Sequence, residues 1–286
     1  MSWVNSIVKE LELEVIAING KTMKQSYDRN HQQKALHIVT AWSSSHQLVL
    51  GPKKVDKKSN ELTAIPALIK MLEIAGSVIT IDAMGCQKDI TSLIIKKKGD
   101  YVLALKGNHK LLYKAVKKWF ELAQKEAFLG REYSYYEQVE GGHHRVEKRQ
   151  VWTIDISKLP PLHNQGLWTG LKTVAMIVSE RRLWNKTTTE ARFYLSSLSS
   201  NAAQIALAIR SHWGIENSLH WTLDVTFSED KSRIRKQHSP ENFALMRRLA
   251  INLLKQEKTS KQSLKMKRYR AAMDNNYLVQ ILNSAS

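Results

Sequence analysis

The chain is poor in cysteine, in proline and in long apolar runs. Its 286 residues include 1 cysteine and 5 prolines, so an internal disulfide and a multi-cysteine metal site are excluded and a reducing compartment is indicated. No run of about 18 apolar residues occurs, which argues against a membrane span. Residues 1–13 mix apolar with charged side chains and lack the continuous apolar stretch of a signal peptide. We therefore expect a cytoplasmic protein without a membrane partner.

Acidic residues are scarce relative to basic ones. The chain carries 44 Lys and Arg against 26 Asp and Glu, a net charge of +18, which favours a polyanionic partner, nucleic acid first and a membrane surface second. Between Lys231 and Arg270 there are thirteen basic residues and two acidic ones, Glu241 and Glu257. So many cations repel one another unless a polyanion neutralises them. This segment is therefore predicted to bind nucleic acid.

The hydrophobic pattern predicts an α/β fold with a mixed sheet covered by helices. Three strands, the first ended by Gly20, precede a helix over 59–74 with Ser59 as its N-cap, and two further strand-helix pairs follow. From 131 to 198, strands separated by Gly, Pro and polar turns predict a β-rich insertion. The helical period returns at Asn201, which with Gln204 resembles a capping box, and basic amphipathic helices complete the chain.

Several single residues could carry chemistry. Asp82 ends a short apolar strand, where ligands bind in open α/β sheets, but a loop acid or an N-cap explains it as well. Asn19 ends the first strand in the same way and, taken alone, is a turn former. Cys86 is either a nucleophile or a small apolar side chain at a helix start. Lys106 follows a strand and is placed to face a phosphate.

His212, Glu216 and His220 recur at four-residue steps and would share one face of an α-helix. Two readings stay open. The face is either a zinc site of a hydrolase, since these side chains are zinc ligands although the HExxH spacing is absent, or a polar stripe beside Trp213 and Trp221.

Six segments together carry a family resemblance. They are AINGKT at 17–22, KSNELTAIP at 58–66, TIDAMGCQ at 80–87, GDYVLALKGN at 99–108, HRVE at 144–147, and HWGIEN at 212–217 continuing to LDV at 223–225. In these segments the chain closely resembles the H-repeat-associated, ISAs-type insertion-sequence transposases. They are a bacterial branch of the DDE transposases, which have a ribonuclease-H-like catalytic core. The likeness covers nearly the whole chain.

The resemblance implies metal-dependent cleavage and transfer of DNA strands at insertion-sequence ends. In such transposases three carboxylates hold two divalent ions, Mg²⁺ or Mn²⁺. Carried over, Asp82 is the second acid and Glu216 the third, and both are expected metal ligands. The first position is Asp in the family pattern and is Asn19 here. This exchange reduces the acidic charge of the site, and Mg²⁺ prefers charged oxygen ligands, so impaired catalysis is predicted.

The resemblance also implies double-stranded DNA as partner, a homodimer in a synaptic complex, and a nucleoid-associated location. The residues expected to contact DNA are Lys21, Lys106, Arg233, Arg235, Lys236, Arg247 and Arg248. Family members carry a helical segment on the order of 100 residues before the first acid, whereas 18 residues precede Asn19. An N-terminally truncated copy is the resulting expectation.

Four regions are predicted from the pattern and the resemblance together. Residues 1–128 form the first part of a ribonuclease-H-like core, 129–199 the β-rich insertion, 200–230 the core helix carrying the third acid, and 231–286 a basic helical region. The first functional hypothesis is a transposase impaired by Asn19. The alternative is a catalytically inactive transposase remnant that binds DNA, and the third reading is the zinc-dependent hydrolase.

Overall fold

The computed structural model describes residues 13–28, 34–55, 60–142 and 145–284. The chain divides into two compact units, Met1–Val15 with Glu73–His212, and Ile16–Leu72 with Trp213–Ser286. The predicted fold class, an α/β fold with a mixed sheet flanked by helices, is confirmed. Within the described ranges no helix is long and apolar enough to cross a membrane.

A three-stranded meander begins the unit of Ile16–Leu72 and Trp213–Ser286. Its strands are β1 (Val15–Thr22), β2 (His37–Ser43) and β3 (Leu48–Lys54), and β2 pairs with both neighbours in antiparallel register. The prediction that Gly20 ends the first strand is wrong. Gly20 and Lys21 pair with residues of β2, so the strand continues to Thr22.

Helix α1 (Glu61–Met71) follows β3. It begins later than predicted, because the side chain of Asn60 accepts a hydrogen bond from the Leu62 backbone N–H and so caps the helix. The predicted cap, Ser59, lies outside the described residues. Ala64, Ile65, Leu68 and Ile69 are buried at the helical spacing that predicted this element.

The other unit contains the remaining strands. Its elements are β4 (Val78–Ile81), α2 (Lys88–Lys96), β5 (Asp100–Leu105), α3 (Lys110–Lys125), β6 (Ser134–Gly142), β7 (Arg145–Asp155), β8 (Thr173–Leu183), β9 (Lys186–Ser196) and α4 (Ala202–Gly214). Strands β4 and β5 are parallel and are connected by α2, whereas β5, β9, β8, β7 and β6 pair successively in antiparallel fashion. Ile205 and Ala208 of α4 pack on Val102 and Val151 in the core of this unit.

Beyond α4 the helical chain changes its winding. A π-helical segment (Ile215–His220) leads into α5 (Trp221–Val225), and α6 (Ser239–Gln256), α7 (Leu264–Met273) and α8 (Asn275–Asn283) follow. Trp42, which is 1% exposed, packs with Ile215, Leu219, Leu223 and Ile251 to form the core beneath the meander. The two compact units do not test the four predicted regions. The boundaries after 128, 199 and 230 therefore stay a prediction.

Candidate active site

Asn19 and Glu216, predicted as the first and third members of a catalytic set, are in direct contact. Asn19 lies near the end of β1, after the buried residues Ala17 and Ile18. Its Nδ2 donates a hydrogen bond to Glu216 Oε1 at 3.2 Å, and its Oδ1 accepts one from the Gly20 backbone N–H at 2.8 Å. Both polar atoms of the amide are therefore engaged, one of them by the Glu216 carboxylate.

The π-helical segment sets the direction of Glu216. Ile215 and Leu219 within it are buried against Trp42, while Glu216 is exposed. Such segments are rare and occur frequently at functional sites. The shared face predicted for His212, Glu216 and His220 stays a prediction.

The ring of His212 lies beside strand β4. Its Nδ1 lies 3.0 Å from the hydroxyl of Thr80, a buried residue of β4. Burial lowers the pKa of His212 to about 4, so the ring is neutral at physiological pH. In the described ranges no group of three or more His, Cys, Asp and Glu side chains could hold a metal ion, and the zinc-hydrolase reading gains no support.

Asp82 directly follows β4. Its Oδ1 accepts hydrogen bonds from the backbone N–H groups of Met84 at 3.1 Å and Gly85 at 3.4 Å, which shapes the turn after the strand. The N-cap alternative for Asp82 is wrong, since α2 begins at Lys88 with Gln87 at the cap position. The carboxylate is thus held by the backbone at the carboxyl end of a sheet strand.

Cys86 lies between β4 and α2 in the sequence, and its side chain is fully buried. Burial, with a smaller contribution from the Asp82 carboxylate, raises the pKa of its thiol to about 12. A thiol that holds its proton this firmly is a poor nucleophile. The structure therefore supports the packing interpretation of this residue.

The residues at Asn19 do not fit the two-ion centre that the resemblance implies. A divalent cation seeks oxygen ligands, preferably charged ones. At this position Glu216 instead faces an amide N–H donor, and the amide oxygen of Asn19 is taken by the Gly20 N–H. In the pair formed by Asn19 and Glu216, Glu216 supplies the only carboxylate.

A polar chain beside Gly20 was not recognised in the sequence. His37 Nε2 lies 2.6 Å from Glu61 Oε1, and its Nδ1 lies 2.7 Å from the hydroxyl of Thr22. A Cβ added to Gly20 would overlap Glu61 and His37, so glycine is needed for this close approach. The presence of Gly20 and Glu61 in two of the resembling segments was the only signal that could have indicated this contact.

Comparison with known proteins assigns the chain to a family. Residues 11–253 match the family model described as "Transposase DDE domain". The chain belongs to this DDE transposase family.

Individual relatives agree with the family. "Putative protein YbfL" of Escherichia coli (strain K12) is 42% identical over 286 residues, which cover 99% of this chain and 75% of the relative. "H repeat-associated putative transposase YhhI" of the same strain is 41% identical over the same shares. A chain in a solved piggyBac transposase synaptic complex with hairpin DNA is 12% identical, with a TM-score of 0.46 over 94% of this chain and 52% of that one. The predicted resemblance to H-repeat-associated transposases is confirmed by the curated relatives.

DDE transposases generally use divalent metal ions and act on DNA. A basic side chain that contacts the phosphates of DNA has to be accessible at the protein surface. Arg248, predicted to contact DNA, is 1% exposed. Its Nη1 donates to Glu229 Oε1 at 3.0 Å and to the carbonyl of Ala244. This placement leaves Arg248 no surface for DNA, because a buried charge needs a buried partner and here has one.

Three further residues predicted to contact DNA are also engaged or partly buried within the protein. Lys21 Nζ lies 2.8 Å from Asp224 Oδ2 and 3.3 Å from Asp230 Oδ1, and the side chain is 9% exposed. Arg235 donates from Nε to the carbonyl of Gln25, and its guanidinium lies 4.8 Å from the ring centre of Tyr27. Arg247 is half-buried, and burial lowers its pKa.

Other cations of this transposase are exposed. Lys106, Arg233 and Lys236 from the predicted set point into solvent, as does Lys231. The sequence reading missed the tip of the β8–β9 hairpin, where Arg181 and Lys186 flank the exposed Trp184. Arg233, Lys236, Arg181 and Lys186 form no ion pair with any residue in the described part of the chain.

Proposed function

We propose that the protein is a DNA-binding DDE transposase whose strand-cleaving centre is impaired by Asn19. The observation that carries this proposal is the hydrogen bond from Asn19 Nδ2 to Glu216 Oε1 at 3.2 Å. An amide donor beside the carboxylate stabilises Glu216 without a cation, and it adds no negative charge that would attract one. Weak binding of Mg²⁺ or Mn²⁺, and therefore slow cleavage, is the expected consequence.

The surroundings of Asp82 and Glu216 support a catalytic centre that departs from the family pattern at position 19. Asp82 is oriented by two backbone N–H groups at the end of β4, and Glu216 is exposed on a segment whose buried face is anchored by Trp42. Asp82, Glu216 and position 19 are the residues we assign to the catalytic set.

The experiment compares the wild type with Asn19→Asp. Nicking of supercoiled plasmid DNA and binding of Mn²⁺ are measured on freshly purified proteins. We expect the Asn19→Asp variant to bind Mn²⁺ more tightly and to nick DNA faster, because the amide donor becomes a charged ligand. The double variant Asn19→Asp with Glu216→Gln is the matched control and is expected to lose both gains.

Two outcomes would decide between the proposal and its alternative. Equal cleavage by the wild type and Asn19→Asp would refute the impairment. Wild-type DNA binding without any cleavage would favour the catalytically inactive remnant, whose motivation is that the described residues contain no metal-holding group of three ligands.

Exposed cations support DNA as the partner. Lys231, Arg233 and Lys236 lie in one short segment between α5 and α6, and Arg181 and Lys186 lie at the β8–β9 tip. Such side chains can neutralise phosphates without losing an internal ion pair. Lys106, which follows β5, is a further exposed cation of this set. The proposal also includes a homodimer, binding to insertion-sequence ends, and a location at the nucleoid.

A further inference from the structure

The position that departs from the family pattern also has an unusual neighbour. Asn19 is followed by Gly20, and no other asparagine in the chain precedes a glycine. Asparagine is a chemically labile residue, and it is most labile before glycine, because glycine has no Cβ to hinder attack of its backbone nitrogen on the preceding side chain. The lability and the departure from the acidic pattern therefore coincide at one residue.

The geometry brings the reacting groups together. The Gly20 backbone N–H already donates to Asn19 Oδ1 at 2.8 Å, so the attacking nitrogen lies beside the amide group. The amide nitrogen that would leave lies 3.2 Å from Glu216 Oε1, and Glu216 is exposed. Water can therefore reach this end of the side chain and ammonia can depart from it.

We propose that Asn19 is a deamidation site, and that its conversion to aspartate restores the acidic residue of the family pattern. The Gly20 nitrogen loses its proton and bonds to Cγ of Asn19, the bond from Cγ to Nδ2 breaks, and ammonia leaves. Water then opens the cyclic imide to give aspartate or isoaspartate. The net reaction consumes one water and releases one ammonia, and nothing is oxidised or reduced.

The conversion changes the electrostatics of the pair. A carboxylate oxygen in place of Nδ2 would face Glu216 Oε1, and two like charges at this separation repel. A divalent cation between them would relieve the repulsion. This consequence rests on the proposed function, whereas the deamidation itself depends only on Asn19 and Gly20.

The first measurement is peptide mass spectrometry on the whole purified chain, fresh and after weeks at physiological temperature. Asn217 is the internal reference, because it is exposed and precedes Ser218. We expect the peptide with Asn19 to gain the mass difference of an acid over an amide many-fold faster than the peptide with Asn217. Asn19→Gln is the matched control, since its longer side chain would have to close a larger ring.

The variant is placed at Asn19 because a side chain at Gly20 would displace Glu61 and His37. Fragmentation that separates aspartate from isoaspartate identifies the product. The thermal midpoint of unfolding with and without Mn²⁺ is the second measurement, with Asn19→Asp as the standard. Aged wild type is expected to acquire the Mn²⁺-dependent increase of Asn19→Asp, and aged Asn19→Gln is expected to lack it.

The outcomes separate the two proposals. If the Asn19 peptide keeps its mass, or converts no faster than the Asn217 peptide, the deamidation proposal is overturned. If isoaspartate alone forms, the proposed restoration of the acidic residue is overturned. If Asn19 converts to aspartate but neither aged wild type nor Asn19→Asp responds to Mn²⁺, the deamidation stands and the metal-dependent part of the proposed function fails.

Discussion

Many basic side chains of the C-terminal segment 231–270 are buried or packed on aromatic rings, whereas those at the β8–β9 tip are exposed. In the segment, Arg248 and Lys267 are buried beside Glu229 and Glu257. Other cations of the segment lie over aromatic rings, among them Lys255 over Trp42, Arg268 over Phe227 and Arg270 over Tyr277. At the tip, Arg181 and Lys186 are exposed and form no ion pair with a described residue. A cluster of basic residues in a sequence is thus not a measure of charge available to DNA.

The largest effect is expected at the buried pair. Replacing Arg248 by Met leaves Glu229, which is 0% exposed, without its main partner, and removing one partner of a buried pair costs about 3–5 kcal/mol of the free energy of unfolding. Urea denaturation measures this loss. Arg233→Met is the control, because an exposed side chain without an ion pair should change stability by less than about 0.5 kcal/mol. If the two variants were equally stable, the distinction between a buried, paired arginine and an exposed, unpaired one would be refuted.

A second effect depends on pH. Burial alone would raise the pKa of Glu257, but hydrogen bonds from Lys267, Thr259 and Tyr277 outweigh it and hold that pKa below its ordinary value of 4.5. The ionised group therefore contributes stability above pH 4.5, and this contribution is lost as the pH falls toward the lowered folded pKa.

The measurement is the unfolding free energy from neutral to acidic pH. Glu257→Gln is expected to be less stable than wild type at neutral pH and to lose less on acidification. Glu241→Gln, which removes a partly exposed ion pair with Lys54, should leave the pH profile of the wild type unchanged. A Glu257→Gln profile parallel to that of the wild type would contradict the assignment.

The smallest effect concerns DNA affinity at individual exposed cations. Arg233→Ala, Lys236→Ala, Arg181→Ala and Lys186→Ala should each lower the slope of log affinity against log salt by about 1, because each removes one phosphate contact. Fluorescence anisotropy with a labelled duplex measures the slope. Lys117→Ala, on α3 and already paired with Glu121, is the matched control. Slopes that stay equal to that of the wild type at both places would place the DNA surface elsewhere.

The local pattern was sufficient to predict most elements of the fold. Helix α3 occupies the predicted Lys110–Lys125, and Asn201 caps the helix after the insertion as expected, with its Oδ1 accepting from the Gln204 backbone N–H. The end of β1 was misplaced, because continuation through Gly20 depends on pairing with β2 and not on Gly20 itself. Local periodicity thus identified elements, and partners distant in sequence decided where they end.

The catalytic roles of the candidate site residues stay a prediction, and their contacts could not be predicted from the sequence. Asn19, Asp82 and Glu216 were selected through the resemblance, whereas the hydrogen bond from Asn19 to Glu216 spans 197 residues of sequence. Burial of Arg248 depends on Glu229, 19 residues away, and no run of basic letters reveals such a partner. Ile215 and Leu219 of the π-helical segment Ile215–His220 pack on Trp42, a contact that a helical period cannot anticipate.

The contact between Asn19 and Glu216 also has a genetic consequence. Codons for asparagine and aspartate differ in a single base. One transition in the gene would therefore place an acidic residue beside Glu216, next to the buried residues Ala17, Ile18 and Ile215. A single replication error separates position 19 from the acidic pattern that the resemblance implies.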